Sequence, residues 1–129
     1  MHLLQLMSVG IGGWVGSVLR YFISLWLNEK FPNSFVPLGT LLVNVLGSFL
    51  LGLILEFSLH ADLNYDVRLF LTTGIMGGLT TFSTFSYETV ALLNSALYSQ
   101  AIANIVLNLG LGLGGALAGI NLVRLMFRF

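Results

Sequence analysis

The chain has no cysteine, only two prolines and few charged residues, which make up 8% of its 129 residues. Without cysteine it can form neither a disulfide nor a thiolate metal site, and redox chemistry indicates no compartment. Soluble domains carry roughly 25% charged residues, so this shortage excludes a soluble globular protein. Five basic residues balance five acidic ones, and such a chain lacks the clustered positive charge that binding to nucleic acid requires.

Apolar residues dominate instead, at 57% of the chain with a mean hydropathy of +0.95. A transmembrane helix needs about 20 mostly apolar residues. Four stretches meet this length, at residues 3–27, 37–59, 69–93 and 101–127. The sequence therefore predicts a single all-α domain over residues 1–129, embedded in the lipid bilayer by four transmembrane helices.

The basic residues give almost no preference for one orientation of these helices. With four spans, Arg68, Arg124 and Arg128 lie on the side of the termini, whereas Lys30 lies on the other side and Arg20 lies toward it. Lysine and arginine near the helix ends normally set orientation. Two interpretations stay open: a small protein with weak topology signals, or a chain that inserts both ways round and pairs with its own inverted copy.

The third stretch contains a poor helix interior at residues 74–86. Glycines stand at positions 74, 77 and 78, and a run of Ser and Thr residues follows. Both features weaken an α-helix. Irregular backbone at membrane depth is tolerated only inside protein or beside water. The pattern fits a helix broken in mid-membrane, or a kinked continuous helix whose hydroxyls bond to its own carbonyls.

Polar residues recur every four positions on two of the predicted helices. Thr40, Asn44 and Ser48 share one face of the second helix, and Asn104 and Asn108 share one face of the fourth. A side-chain amide in lipid is costly unless it faces the bundle or a partner. The stripes indicate hydrogen bonds between helices or, together with a broken third helix, a permeation path.

Small residues spaced four apart also mark three of the helices. Such pairs let two backbones approach closely, since lipid provides no hydrophobic force for helix association. They are compatible with packing inside one chain, with a dimer interface, or with both. The pairs are Gly12/Gly16, Ser48/Gly52, Gly110/Gly114 and Gly115/Gly119.

The remaining ionisable and aromatic residues suggest no catalytic chemistry, so no enzyme is expected. Glu88 lies deep enough to pair with Arg20, whereas Glu56, near a helix end, is expected to reach water or lipid headgroups. A structural ion pair is the conservative interpretation for both glutamates. Phe82 and Phe85, at i and i+3, share a face beside the predicted break. This position makes them candidates for lining a pore, although aromatic pairs at helical spacing usually pack in a core.

The motif at residues 77–86, with Gly74 before it and Glu88 after it, closely resembles the signature of the CrcB/Fluc fluoride channels. The resemblance extends to the glycines and arginine of residues 12–20 and to the Pro-Leu-Gly-Thr motif and asparagine of residues 37–47. In the fourth helix, where some members present Tyr or Ser hydroxyls, this chain has asparagines and glycines.

The resemblance implies an antiparallel, dual-topology homodimer with two pores in a bacterial plasma membrane, through which fluoride leaves the cell passively. It also implies a structural sodium ion at the dimer centre, held by main-chain carbonyls matching Gly77 and Thr80. It assigns five residues to the fluoride path: Asn44, Phe82, Ser83, Thr84 and Phe85. The fourth helix is expected to add Asn104 and Asn108 to this path.

Two other functions are compatible with the composition. A small dual-topology multidrug or cation antiporter would need a carboxylate in the bundle centre, but the first helix has Arg20 and no acid at depth. A membrane subunit that only assembles with others would need the glycine faces but neither the predicted break nor the polar stripes. A requirement for a proton gradient would indicate the antiporter, and anion efflux would exclude the assembly subunit.

Overall fold

The computed structural model describes residues 2–128, in which all regular secondary structure is helical. Helix α1 comprises His2–Lys30 and α2 comprises Leu38–His60. The turn between them contains Pro32, and Pro37 directly precedes α2 with a φ of −63°. Proline lacks an N–H donor and fixes φ near −65°, so it ends one helix and is suited to start the next.

The third region of the chain is divided into short elements rather than one long helix. These are α3 (Tyr65–Leu69), a π-helix (Phe70–Met76), α4 (Gly77–Leu79) and α5 (Phe82–Asn94). Asn64 caps α3, because its Oδ1 accepts hydrogen bonds from the N–H groups of Asp66 (2.9 Å) and Val67 (3.3 Å). Thr80 and Thr81 separate α4 from α5.

The last helix, α6, comprises Tyr98–Met126. Among the described residues, α1, α2 and α6 are the helices long and apolar enough to cross a membrane. Their outer faces expose large apolar side chains such as Leu6, Trp14 and Leu113, each about two-thirds exposed or more. A water-soluble monomer rarely exposes apolar surface so widely. The chain is therefore built as a multi-pass membrane protein.

Helices α2 and α6 form the most extensive helix contact, and glycine makes it possible. A Cβ added at Gly52 would lie 2.5 Å from the carbonyl oxygen of Ala116, and one at Gly119 would overlap the carbonyl oxygen of Phe49. These glycines pack inside the chain. In contrast, a Cβ at Gly110 or Gly114 would meet no atom within 4 Å, so this second face of α6 is open.

Helix α1 packs against the π-helix and α4 through glycines on both sides. A Cβ at Gly12 would lie 2.5 Å from the carbonyl oxygen of Phe70, and one at Gly74 would lie 2.8 Å from the Cα of Gly12. Between these elements and α2 lies a small apolar core formed by Val43, Met76 and Leu79. The close contacts hold the end of α4 beside the middle of the bundle, where the polar residues converge.

Candidate functional site

The helical region is interrupted at Thr80 and Thr81, which adopt extended backbone conformations (φ/ψ of −83°/153° and −151°/115°). The side chain of Asn44 bonds to both backbone groups of Thr81. Its Oδ1 accepts a hydrogen bond from the Thr81 N–H (2.8 Å), and its Nδ2 donates one to the Thr81 carbonyl (3.2 Å). One amide thus supplies the partners that a continuous helix would otherwise give to Thr81.

The side chain of Thr81 caps the N-terminus of α5. Its Oγ1 accepts a hydrogen bond from the Thr84 N–H (3.2 Å) and donates one to the Thr84 Oγ1 (3.0 Å), and it lies 3.3 Å from the Ser83 Oγ. This is the hydroxyl cap expected at the residue that directly precedes a helix. Asn44 and Thr81 together therefore fix where one helix ends and the next begins.

The interruption also changes the hydrogen bonding of two backbone carbonyls, those of Gly77 and Thr80. In a continuous α-helix the N–H groups of Thr81 and Thr84 would bond to the carbonyls of Gly77 and Thr80. Here those N–H groups bond to Asn44 Oδ1 and Thr81 Oγ1 instead. A Cβ at Gly77 would have one neighbour within 4 Å, at 3.9 Å, so the surface beside it is open.

The asparagines of the two polar stripes form one chain of hydrogen bonds between α2, α6 and α5. Asn44 Nδ2 donates to Asn108 Oδ1 (3.0 Å), and Asn108 Nδ2 donates to Asn104 Oδ1 (3.0 Å). Asn104 Nδ2 then donates to Thr89 Oγ1 (3.0 Å), whose hydroxyl donates to the Phe85 carbonyl (2.8 Å). These amides connect the helices, as expected for buried polar groups in an apolar bundle.

A cavity of about 250 Å³, here called the phenylalanine cavity, opens beside the interruption. The rings of Phe82 and Phe85 lie there with their centroids 5.6 Å apart and their planes tilted by 57°. Phe85 is buried, whereas Phe82 is 75% exposed on the surface of the chain. The other polar residues of the lining are Asn44, Ser48, Thr80, Thr81 and Asn108.

A second cavity of about 400 Å³, the glutamate cavity, is also lined by Thr81. Glu88 accepts a hydrogen bond at Oε1 from the Thr40 hydroxyl (2.8 Å), while its buried Oε2 has no hydrogen-bond partner among residues 2–128. The other polar residues of the lining are Ser17, Arg20, Tyr21, Ser24, Asn28, Thr81 and Thr84. Thr81 is the residue common to both cavities.

The ion pair predicted between Arg20 and Glu88 is not formed. Both side chains line the glutamate cavity, but the ion pairs among residues 2–128 are those of Glu56. The hydrogen bond from Thr40 holds the Glu88 carboxylate against α2, which accounts for its separation from the guanidinium on α1.

Glu56 forms a structural ion pair, the other arrangement expected for it, instead of reaching water or headgroups. It is buried, and its Oε1 accepts a hydrogen bond from Arg124 Nε at 2.8 Å. The partner is 68 residues away in the sequence, so local patterns could not indicate it.

The structure brings most of the predicted path residues to the interruption and separates two from the cavities. Asn44, Phe82, Phe85 and Asn108 line the phenylalanine cavity, and Thr84 lines the glutamate cavity. Ser83 is exposed beside Thr81 and lines neither. Asn104 is fully buried inside the amide chain and also lines neither.

Two residues of the site were not predicted individually: Thr81 joins the two cavities, and Thr89 ends the amide chain. Ser48, which the sequence places on one face with Thr40 and Asn44, lines the phenylalanine cavity. The parts played by Thr81 and Thr89 depend on contacts with α2 and α6 that no local pattern indicates.

Comparison with known proteins gives a consistent result over most of the chain. The family described as CrcB-like protein, Camphor Resistance (CrcB), matches residues 7–120. The "Fluoride-specific ion channel FluC" of Clostridium perfringens is 49% identical over 126 residues, covering 97% of this chain and 98% of that protein.

Proteins of the same name from more distant sources are also similar. That of Rhizobium meliloti is 44% identical over 123 residues (95% of this chain, 98% of that protein). That of Methanocaldococcus jannaschii is 46% identical over 104 residues (81% of this chain, 82% of that protein). On this match, which extends over most of its length, the chain belongs to the CrcB family.

Proposed function

We propose that this chain is a fluoride-specific ion channel, and not an enzyme, that exports fluoride passively and so lowers the fluoride concentration of the cytoplasm. The observation that carries the proposal is the close similarity, over nearly the whole chain, to proteins named fluoride-specific ion channels. An inside-negative membrane potential drives an anion outward, by about 2.3 kcal/mol per charge per 100 mV.

The two cavities support a path for a small anion. They approach each other at Thr81, and the phenylalanine cavity presents amide, hydroxyl and ring groups without a formal charge. A channel must replace the hydration shell of its ion and still release it. Neutral donors meet both needs, because they attract an anion without the strong attraction of a fixed positive charge.

The donors offered to fluoride differ between residues. Both hydrogens of Asn44 Nδ2 have acceptors within the chain, on Thr81 and Asn108. Ser48, in contrast, has no side-chain hydrogen-bond partner within residues 2–128 and lines the phenylalanine cavity. The ring edges of Phe82 and Phe85 carry partial positive charge. We therefore assign direct anion contact to Ser48 and the two rings, and to Asn44 the added task of positioning Thr81.

The test is an efflux assay with the purified protein in liposomes loaded with fluoride or with chloride. We expect rapid fluoride efflux once a potassium ionophore prevents a membrane potential from building up and opposing the anion. Chloride efflux should be no faster than from protein-free liposomes. Equal rates for the two anions would contradict fluoride specificity. Dependence on an imposed proton gradient would indicate an antiporter instead.

We further propose that a sodium ion is bound, but not transported, at the carbonyls of Gly77 and Thr80. The N–H groups that a continuous helix would offer these carbonyls are bonded elsewhere, so each oxygen loses its helical hydrogen bond. Residues 2–128 contain no group of three or more acidic, His or Cys residues able to hold a metal ion, and neutral carbonyls suit a monovalent cation. Fluoride efflux should fall when sodium is replaced by a large organic cation, and tracer sodium should not cross.

We propose an antiparallel, dual-topology homodimer in the bacterial plasma membrane as the working form. The open surfaces at Gly77, Gly110 and Gly114 would accept a second copy closely, and the basic residues are nearly balanced between the two sides. Lysines added to the loop between α1 and α2 should fix one orientation and abolish efflux. Co-expression with an oppositely biased variant should restore it, whereas full activity of either variant alone would contradict the proposal.

A further inference from the structure

A stack of aromatic rings closes one end of the bundle, far from the interruption. The ring of Phe127, directly after α6, lies parallel to His60 at the end of α2, with centroids 4.9 Å apart and planes 13° apart. It also contacts Phe57, at 5.8 Å. These contacts join the end of α6 to the last turns of α2, directly before Arg128.

An ion pair beneath the stack orients a second arginine. Arg124 donates from Nε to the Oε1 of Glu56 at 2.8 Å, and His60 Nε2 lies 3.5 Å from the same oxygen. Because the bond uses Nε, the two terminal nitrogens of the guanidinium keep their donors for another acceptor. The Arg124 side chain is 60% exposed, whereas that of Glu56 is 10% exposed. The buried carboxylate thus holds an accessible guanidinium in place.

Beside these residues is a cavity of about 540 Å³, the C-terminal cavity. It combines cationic and amide donors with apolar surface, and it shares no residue with the phenylalanine or glutamate cavity. Its lining residues are His60, Asn121, Arg124, Leu125, Phe127 and Arg128.

We infer that the C-terminal cavity binds the phosphate group of an anionic phospholipid. The lining contains two arginines, Arg124 and Arg128, and only Arg124 is paired with a carboxylate, that of Glu56, so the site has an excess of positive charge. Arginine matches the oxygens of a phosphate with paired donors. The site lies where α2 and α6 end, the level at which a spanning helix meets lipid headgroups. Leu125 and Phe127 add the apolar surface that an acyl chain would contact and that a free phosphate ion would not need.

The inference is independent of the fluoride path and is tested by lipid binding alone. The full chain is purified in detergent and titrated with phosphatidylglycerol or with phosphatidylcholine, and retained lipid is counted by native mass spectrometry. A parallel titration adds inorganic phosphate. We expect retention of phosphatidylglycerol in preference to phosphatidylcholine, and no displacement by inorganic phosphate.

Three variants test whether phosphatidylglycerol binds in the C-terminal cavity. Arg128→Gln should weaken phosphatidylglycerol retention about fivefold, since a basic residue near an anionic lipid contributes about that factor. Arg124→Lys keeps a charge beside Glu56, and so the fold, but loses the paired donors and should also weaken retention. Arg68→Gln is the matched control: the same charge is removed from α3, where Arg68 lies over the Tyr65 ring and outside the cavity.

Several results would overturn the inference. Equal losses in Arg68→Gln and Arg128→Gln would show attraction to surface charge in general. Equal retention of the two lipids would exclude recognition of an anionic headgroup. Displacement of lipid by inorganic phosphate would show that the cavity is a site for the free ion.

Discussion

The phenylalanine cavity and the glutamate cavity approach each other at Thr81, but the first has only neutral polar groups and the second also has charged ones. The first is lined by neutral donors and aromatic rings, with no charged residue. The second contains Arg20 and Glu88, which form no ion pair with each other. For the proposed path, this difference separates two tasks: a charged region can attract an anion from water, and a neutral region can conduct it without holding it.

Thr81, the residue that lines both cavities, is held in place by hydrogen bonds, and this keeps the cavities separate. Thr81 is buried and its backbone is bonded in both directions by Asn44, which is in turn fixed by Asn108 on α6. Neutral amides make this connection at lower cost than formal charges would in an apolar bundle. The amide chain therefore maintains the interruption, and the cavities follow from it.

The largest effect should come from removing this connection with Asn44→Ala. The change leaves the buried N–H and carbonyl of Thr81 without partners, and each such group costs about 1–3 kcal/mol. We expect the two cavities to lose their relative placement and fluoride efflux from liposomes to fall about a hundredfold or more.

Asn94→Ala, at the exposed end of α5, is the control and should keep the normal rate. Size-exclusion chromatography should show both variants folded. Wild-type efflux from Asn44→Ala would mean that other contacts hold Thr81 and that the placement of the two cavities does not depend on Asn44.

A smaller effect is expected from the rings of the neutral cavity. Isoleucine in place of Phe82 or Phe85 keeps an apolar side chain but removes the ring edge, whose interactions contribute about 0.5–1.5 kcal/mol. Efflux should therefore fall up to about tenfold in each variant. Phe82→Ile is the cleaner test, because that side chain is 75% exposed and contributes little to packing within the chain.

Phe22→Ile supplies the matched control, since Phe22 is similarly exposed on α1 and lines neither cavity. The same loss in Phe22→Ile would assign the effect to general packing or lipid contact. Unchanged efflux in both Phe82→Ile and Phe85→Ile would show that the rings do not contribute to conduction.

Much of this arrangement could be predicted from the sequence because it depends on local pattern. Apolar runs located α1, α2 and α6 to within about one turn at each end. Glycine and hydroxyl composition pointed to residues 74–86, and the four-residue spacing placed Asn104 and Asn108 on one face. These signals come from helix geometry and propensity, which act over a few residues.

What could not be predicted depends on residues far apart in the chain. The interruption falls at Thr80 and Thr81, within a longer glycine- and threonine-rich stretch, where Asn44, 37 residues away, bonds to the backbone. The separation of Arg20 from Glu88 depends likewise on Thr40. Local composition limits where a helix can break, and the partner helix selects the position.

The smallest effect should come from the charged cavity, through Arg20→Gln. Arg20 forms no ion pair among residues 2–128, so its charge is available to attract an anion, a contribution of about 1 kcal/mol at close range in water. Efflux at low ionic strength should fall about fivefold. The deficit should shrink at high salt, because screening acts over about 10 Å at 0.1 M and about 3 Å at 1 M. Arg68→Gln removes the same charge outside both cavities and should show no deficit. A deficit in Arg20→Gln that does not depend on salt would show that Arg20 acts through the structure of the cavity instead of through attraction.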